Sequence, residues 1–255
     1  MRTEDYQYLF ELEEEFWWFV GMRQITAAVL DPLLRENVSR IVLDAGCGTG
    51  GNVAWLGRYA GAREVVGMDL ASDALKFARQ RIQQLPVQAS VTELPFPDST
   101  FDLVTSFDVI VQLPEEGADE RAIREMYRVL KPGGIAFVRA AAYQWMRSGH
   151  DVALNTKRRY SLNELRALLE GTGFRVIRAT YANGLLLPIA ALHRLVLKPV
   201  GLAPSGSDVS PLPSGLRWIN PILKALLRCE ALWLRLFPLP AGLSVICVVQ
   251  KPKNI

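Results

Sequence analysis

Cysteine and histidine are scarce in these 255 residues: there are three cysteines and two histidines, and neither kind clusters. Cys47, Cys229 and Cys247 lie far apart with no C-x-x-C pair, which argues against a disulfide framework or a structural zinc site and for a reducing compartment. No metal ligand is assigned. Long basic tracts are missing as well. With 29 Lys+Arg against 26 Asp+Glu the net charge is only +3, so nucleic acid is not an expected partner. Apolar runs stop short of the roughly 18 residues of a spanning helix, because Arg194, Lys198, Lys224, Arg228 and Arg235 interrupt the best candidates. The N-terminus "MRTEDYQYLFELEEEF" lacks a basic start followed by an apolar stretch, so no secretory signal is read. The expected location is the cytoplasm, with peripheral contact to the inner face of the membrane left open.

What is present is apolar residues in quantity, half of the chain, enough for a sizeable core. Residues 5–36 show helical periodicity around the aromatic knot "FWWF". Beyond them, strand and helix patterns alternate. "RIVLDAG", "EVVGMDL", a short piece near 87–91, "FDLVTSFDVI" and "IAFVRAA" read as strands. "NVAWLGRYAG", "SDALKFARQRIQQL" and "ADERAIREMYRVL" read as helices, the second with Ser72 or Asp73 as a cap, and "KPGG" reads as a turn. Such alternation implies a parallel sheet covered on both faces. "SLNELRALLEGTGF" follows as a helix with capping-box spacing at Ser161 and Glu164 and a stop at Gly173, and "RVIRATYA" and "LSVICVVQK" complete the sheet. Residues 184–241 break the alternation; they are Leu- and Pro-rich and include the loop "APSGSDVSPLPSG".

The strand-to-helix turn "LDAGCGTGG" admits several ligands. It lacks the Lys-Ser or Lys-Thr of a phosphate-binding loop, whereas Gly46, Gly48 and Gly51 satisfy the dinucleotide spacing. Asp44 favours a cationic or zwitterionic ligand over a phosphate, since a fixed carboxylate at the strand end repels a pyrophosphate and accepts from an ammonium. Asp69 ends the second strand, where an acidic side chain holds ribose hydroxyls in both kinds of nucleoside fold.

Taken in order, "LDAGCGTG", "GMDL", "ELPFPDSTFDLVTSFDVI" and "LKPGG" resemble the class I S-adenosylmethionine-dependent methyltransferases, in particular their type 11-like group, over residues 38–140. The resemblance implies an α/β fold with a Rossmann-like, doubly wound, mostly parallel seven-stranded sheet whose last strand is antiparallel. A single methyltransferase domain is expected, with an N-terminal helical cap (1–37), a catalytic core (38–183), a helical lid insertion (184–241) and a last strand with its tail (242–255). It also implies S-adenosyl-L-methionine as methyl donor, leaving as S-adenosyl-L-homocysteine. Asp44, Gly46, Cys47, Gly48 and Gly50 would surround its methionine end, with Cys47 a small buried residue of the turn and not a nucleophile. Asp69 would hold the ribose and Leu70 would flank the adenine. Thr92, Glu93 and Leu94 match the loop that closes over the adenine, and Phe107 and Asp108 match the residues after the fourth strand. Two positions depart from the pattern: Ser90 stands where relatives often have an aspartate on the adenine amine, and Gln112 where a histidine is common. "EEEFWWFVGMR" resembles a helix that covers the cofactor in part of the family, which would place Trp17 or Trp18 over the pocket and Arg23 on the cofactor carboxylate; core packing of these aromatics is the equal alternative.

The acceptor region is expected after the fifth strand, in "AAAYQWMRSGHDVALNTKRRYS", at the carboxyl ends of the strands. Tyr143, Arg158 and Arg159 are the candidate acceptor contacts, the arginines for an anionic group near the start of the following helix. His150 is the natural general base for a hydroxyl or amine, with Tyr160 second, and Glu230, set in the apolar arc of 222–237, the base for a carbon acceptor. That arc, with Lys224, Arg228 and Arg235 on one stripe, suits packing on the core, enclosure of a lipophilic acceptor or a membrane interface. The expected acceptor is a small, largely apolar molecule with or without an anionic end, of prenyl, quinone, lipid or polyketide type. A nicotinamide-dependent oxidoreductase and a non-catalytic cofactor-binding protein are the rival readings.

Overall fold

The computed structural model describes residues 3–34, 38–61, 65–82, 84–197, 200 and 218–253. The stretch "APSGSDVSPLPSG" lies outside the described residues. Two helices, α1 (Thr3–Leu12) and α2 (Trp17–Leu30), precede β1 (Val42–Ala45), α3 (Gly51–Ala60), β2 (Val65–Asp69), α4 (Ser72–Ala78), β3 (Val87–Gln88), β4 (Phe101–Phe107), α5 (Ala118–Val129) and β5 (Leu130–Ala141). Then come α6 (Gly149–Ala153), α7 (Leu162–Gly171), β6 (Arg175–Ala182), α8 (Leu187–Leu192), α9 (Ile219–Leu236) and β7 (Ser244–Gln250). The strands form one seven-stranded sheet in the order β3-β2-β1-β4-β5-β7-β6. Pairs among β1 to β5 are parallel, while β7 runs antiparallel to both β5 and β6, as the resemblance implies.

The near-continuous apolar runs of the central strands follow from burial on both faces. Alternate residues of β5 point to opposite sides: Ile135 and Phe137 join a core with α2, α3 and α9, whereas Ala136 and Val138 join one with α5 and α7. The N-terminal helices and the insertion between β6 and β7 pack together on the first of these faces. Gly21 of α2 lets α9 approach closely, since a Cβ there would lie 2.2 Å from Leu227 Cδ1. Asn220 Oδ1 accepts from the Trp17 N–H at 2.9 Å, fixing the start of one helix against the start of the other.

Three stretches depart from the sequence expectation, and a fourth meets it. The helical stretch 5–36 is two helices, parted by a turn over 13–15. The helix expected over "SDALKFARQRIQQL" stops at Ala78, and neither Ser72 nor Asp73 caps it; Asp73 instead pairs with Lys76 at 2.6 Å. "KPGG" is part of β5, opposite a register shift between Phe101 and Leu103. The capping box of α7 forms as its spacing requires, with Glu164 N–H donating to Ser161 Oγ and Ser161 N–H to Glu164 Oε2.

Candidate active site

At the carboxyl end of β1 the chain turns sharply into α3. Gly46, Gly48 and Gly50 take φ of +93°, +54° and +84°, a region costly for side chains with a Cβ. At Gly46 space is also lacking, because a Cβ would stand 2.2 Å from Val109 Cγ2. Gly48 differs: nothing lies within 4 Å of its Cβ position, and it borders open space. The Gly46 and Cys47 N–H groups donate to Met68 O at 2.7 and 2.8 Å, binding the turn to the end of β2. There Asp69 accepts from Gly48 N–H through Oδ2 (2.9 Å) and from Ala71 N–H through Oδ1 (2.8 Å). A carboxylate offers about four acceptor sites, so two remain for hydroxyl donors.

The turn forms one wall of a cavity of about 670 Å³. Of the residues expected at the cofactor, Trp18, Gly46, Cys47, Gly48, Asp69, Leu70, Phe107 and Asp108 line it. Asp44 and Gly50 sit behind that wall. Thr92, Glu93 and Leu94 do not reach it; Ser90 and Val91 do, because the Leu94 N–H is held by Glu125 (2.7 Å) and Thr92 pairs its hydroxyl with that of Ser90 (2.7 Å). Arg23 is also set back, its guanidinium donating to Gly51 O (3.0 Å) and Glu13 O.

Glu13, Thr49, Asn52 and Arg139 line the cavity without having been anticipated, and Gln112, noted for standing where a histidine is common, lines it too. Glu13 accepts from Thr49 Oγ1 (2.6 Å) and from Arg81, whose guanidinium also donates to Phe10 O and lies over the Phe10 ring. This clasp carries the turn after α1 across the start of α3. It also accounts for the short α4: Arg81 reaches Glu13 from beyond the helix end. Arg139, on β5, pairs with Asp108 at the end of β4 (2.6 Å) and lies against Phe107.

The donor set tests the ligand. Among the described residues, Glu13, Asp69, Asp73 and Asp108 line the cavity; Glu13 is paired with Arg81, Asp73 with Lys76 and Asp108 with Arg139, while Asp69 accepts from backbone N–H groups. A pyrophosphate would face the Asp69 carboxylate at close range with Arg139, the one lining guanidinium, already paired, whereas a sulfonium amino-acid nucleoside brings positive charge and ribose donors. The residues present therefore fit S-adenosylmethionine and not a dinucleotide.

Asp44 is buried and accepts from Thr105 Oγ1 at 2.8 Å. Burial is the main cause that pushes its carboxyl up to about 7 from 3.8, with Asp69 and Glu13 adding repulsion. An acid raised in the folded state binds more protons there than when unfolded, so stability falls as pH rises between 3.8 and about 7. We expect Asp44→Asn to flatten this slope: the melting temperature of the variant relative to the wild type should climb across that window and level off above it. A difference that stays constant from pH 4 to 7 would contradict burial of an ionisable Asp44.

A second cavity of about 90 Å³ adjoins the first, the two sharing Trp18, Asp108, Gln112 and Leu154. His150 and Arg159 line it, together with Val111, Thr156, Arg194 and Leu243. Arg159 is buried and wholly engaged: Nε and Nη2 donate to the two oxygens of Asp151 (2.6 and 3.2 Å) and Nη1 to Ala142 O (2.8 Å). The anion site expected before α7 does not assemble. Arg158 turns away to Asp119 (3.0 Å), and the Ser161 and Glu164 N–H groups are consumed by their own capping box.

Three other candidates lie outside both cavities. Tyr160 is buried, its hydroxyl donating to Asp119 Oδ2 at 2.8 Å, and burial together with that carboxylate raises its pKa, which unsuits it as a base. Tyr143 is stacked between Trp145 and Tyr181, at centroid distances of 5.3 and 5.1 Å. Glu230 accepts from the Asn183 and Leu185 N–H groups, so it ties α9 to the turn after β6 instead of facing an acceptor; burial raises its pKa and these bonds oppose the rise. Its partners are backbone amides, which carry no sequence signal.

The chain matches the family model for a methyltransferase domain over residues 43–138. It is 33% identical over 168 residues to a probable S-adenosylmethionine-dependent methyltransferase of Mycolicibacterium smegmatis, covering 65% of this chain and 62% of that one, so it spans about three fifths of that relative's length. It is 38% identical over 156 residues to a protein of Encephalitozoon cuniculi provisionally named a methyltransferase, covering 54% of this chain and 71% of that one. The crystal structure of an S-adenosylmethionine-dependent methyltransferase from Archaeoglobus fulgidus superposes with a TM-score of 0.59 over 96% of this chain and 100% of that one, at 19% identity, a likeness of fold. Motif order, sheet topology and an acidic cavity over the glycine turn thus converge with these matches, and the chain belongs to the class I S-adenosylmethionine-dependent methyltransferases.

Proposed function

We propose that the protein transfers a methyl group from S-adenosylmethionine to a small, largely apolar acceptor with an anionic end, whose reactive end enters the 90 Å³ cavity. The observation that carries this reading is the shared wall of Trp18, Asp108, Gln112 and Leu154, which sets that cavity directly against the large one. Trp18, Val111, Ala141, Leu154 and Leu243 supply apolar surface, and Arg194 supplies positive charge, Arg159 being paired with Asp151. The cofactor, when bound, supplies an electrophilic methyl on a sulfonium. Displacement in line asks the protein chiefly to align the acceptor and exclude water, which Trp18 and Leu154 do from the shared wall. His150, half-buried in the small cavity, is placed to take the proton of an acceptor hydroxyl or amine.

The test is transfer of labelled methyl to a panel of carboxylate- or phosphate-bearing prenyl, quinone and lipid molecules, with sugars and peptides alongside. Label appearing only in the polar compounds would overturn the acceptor class, and cofactor binding without transfer to any extract component would favour a non-catalytic role. On the accepted substrate, His150→Ala is expected to lower kcat by on the order of a hundredfold while leaving S-adenosylhomocysteine affinity unchanged. Full turnover in that variant removes His150 as the base.

A further inference from the structure

The buried residues of α9 lie on one side of it. Leu227, Glu230, Ala231 and Leu234 are buried against α2 and the core. On the opposite side runs an exposed stripe: Trp218, Ile222, Trp233 and Leu236 are 54–76% exposed, with Ala225 and Cys229 between them on the helical wheel. Between these two faces lies a third, made of Lys224, Arg228 and Arg235. Glu230 is the one carboxylate among the described residues of the insertion, and it is buried. The outer surface of this helix therefore offers apolar groups and positive charge with no negative charge among them.

The exposure is not typical of the molecule. Of the seventeen large apolar side chains that are exposed among the described residues, twelve fall between Leu185 and Phe237. Scattered single exposures need no explanation, but a concentration of this kind marks an interaction surface. We propose that the outer stripe of α9 docks on an anionic lipid membrane, with Trp218 and Trp233 at the level of the headgroups and Arg228 and Arg235 on lipid phosphates or carboxylates. Three arrangements support lipid over protein. Tryptophan with its indole N–H suits an interface that is apolar on one side and wet on the other. A basic flank without acidic partners complements an anionic leaflet. A second copy of this chain meeting the same stripe with its helix antiparallel would set the two basic flanks side by side, at an electrostatic cost. The helix lies on the bilayer and does not cross it, since none of the described helices is long and apolar enough to span. The inference stands whatever the acceptor proves to be.

Sedimentation of the full-length protein with vesicles tests it. Binding is expected to vesicles of phosphatidylcholine with about one-third phosphatidylglycerol, to fall at about 1 M salt where the screening length is about 3 Å, and to be weak on phosphatidylcholine alone. Arg228→Gln with Arg235→Gln should weaken binding to the anionic vesicles by roughly thirtyfold. Trp233→Ser with Leu236→Ser should abolish it. Both pairs lie on the exposed side, so S-adenosylhomocysteine affinity and melting temperature should hold, which shows that the variants are folded. Failure to sediment with anionic vesicles, equal binding in the arginine variant, or a dimer that loses vesicle binding as it forms would each overturn the proposal.

Discussion

Asp69→Ala is expected to weaken S-adenosylhomocysteine binding by roughly a thousandfold, measured by calorimetry at constant pH and salt. The size follows from what the carboxylate does at once. It holds the Gly48 and Ala71 N–H groups at 2.9 and 2.8 Å and so shapes the turn, and its remaining acceptor sites face the cavity where ribose hydroxyls would sit. Hydrogen bonds to a charged group contribute about 1.5–3 kcal/mol each, and two of them with the ribose give an effect of this order. Alanine also leaves two N–H groups without their acceptor, which loosens Gly48 where the cofactor approaches closest. Asp69→Asn keeps one carbonyl acceptor and should lose only part of the affinity. Should the alanine variant bind within about threefold of wild type while melting normally, the ribose is not held at the end of β2.

The clasp on the other side of the cavity should matter less. Glu13 is held by Thr49 and Arg81, so its removal frees the turn after α1 but takes no expected contact from the ribose.

Which parts of this arrangement the sequence disclosed follows from the range of the interactions. The α7 capping box is local, its partners three residues apart, so spacing alone reports it; the glycine turn and Asp69 are each marked by a short run of their own, although the bonds that join them span about twenty residues. The mostly parallel seven-stranded sheet with its antiparallel last strand followed from alternation together with the resemblance. Glu13, Arg81 and Arg139 were not legible, because each takes its place through a partner from 31 to 71 residues away, and a lone charged residue in a helix or strand looks like any other. Asp119 shows the same limit from the acceptor side. It draws Arg158 and Tyr160 away from the cavities, and nothing in "ADERAIREMYRVL" marks it as their partner. Glu230 was visible as an anomaly in an apolar arc, but its backbone partners after β6 were not.

The Asp151–Arg159 pair is where a structural change should cost most. Both side chains are nearly inaccessible, at 0% and 3%, and the arginine's Nη1 donates to Ala142 O. Asp151 also caps α6 by accepting from the Ser148 N–H at 2.8 Å, so it fixes the helix that carries His150. Asp151→Ala strands a buried guanidinium, a loss put at about 3–5 kcal/mol when one partner of a buried pair is removed. For a chain of this length that lowers the melting temperature by on the order of 10 °C. The double variant Asp151→Ala with Arg159→Met removes the stranded charge and should recover part of the loss, so the two changes are expected to be strongly non-additive in a thermodynamic cycle. Additive effects would mean that the carboxylate and the guanidinium do not act as a buried pair. Because the pair stands behind the small cavity and not in the large one, the double variant should bind S-adenosylhomocysteine as the wild type does while methyl transfer falls. A parallel loss of cofactor affinity would instead tie α6 to the cofactor side of the shared wall.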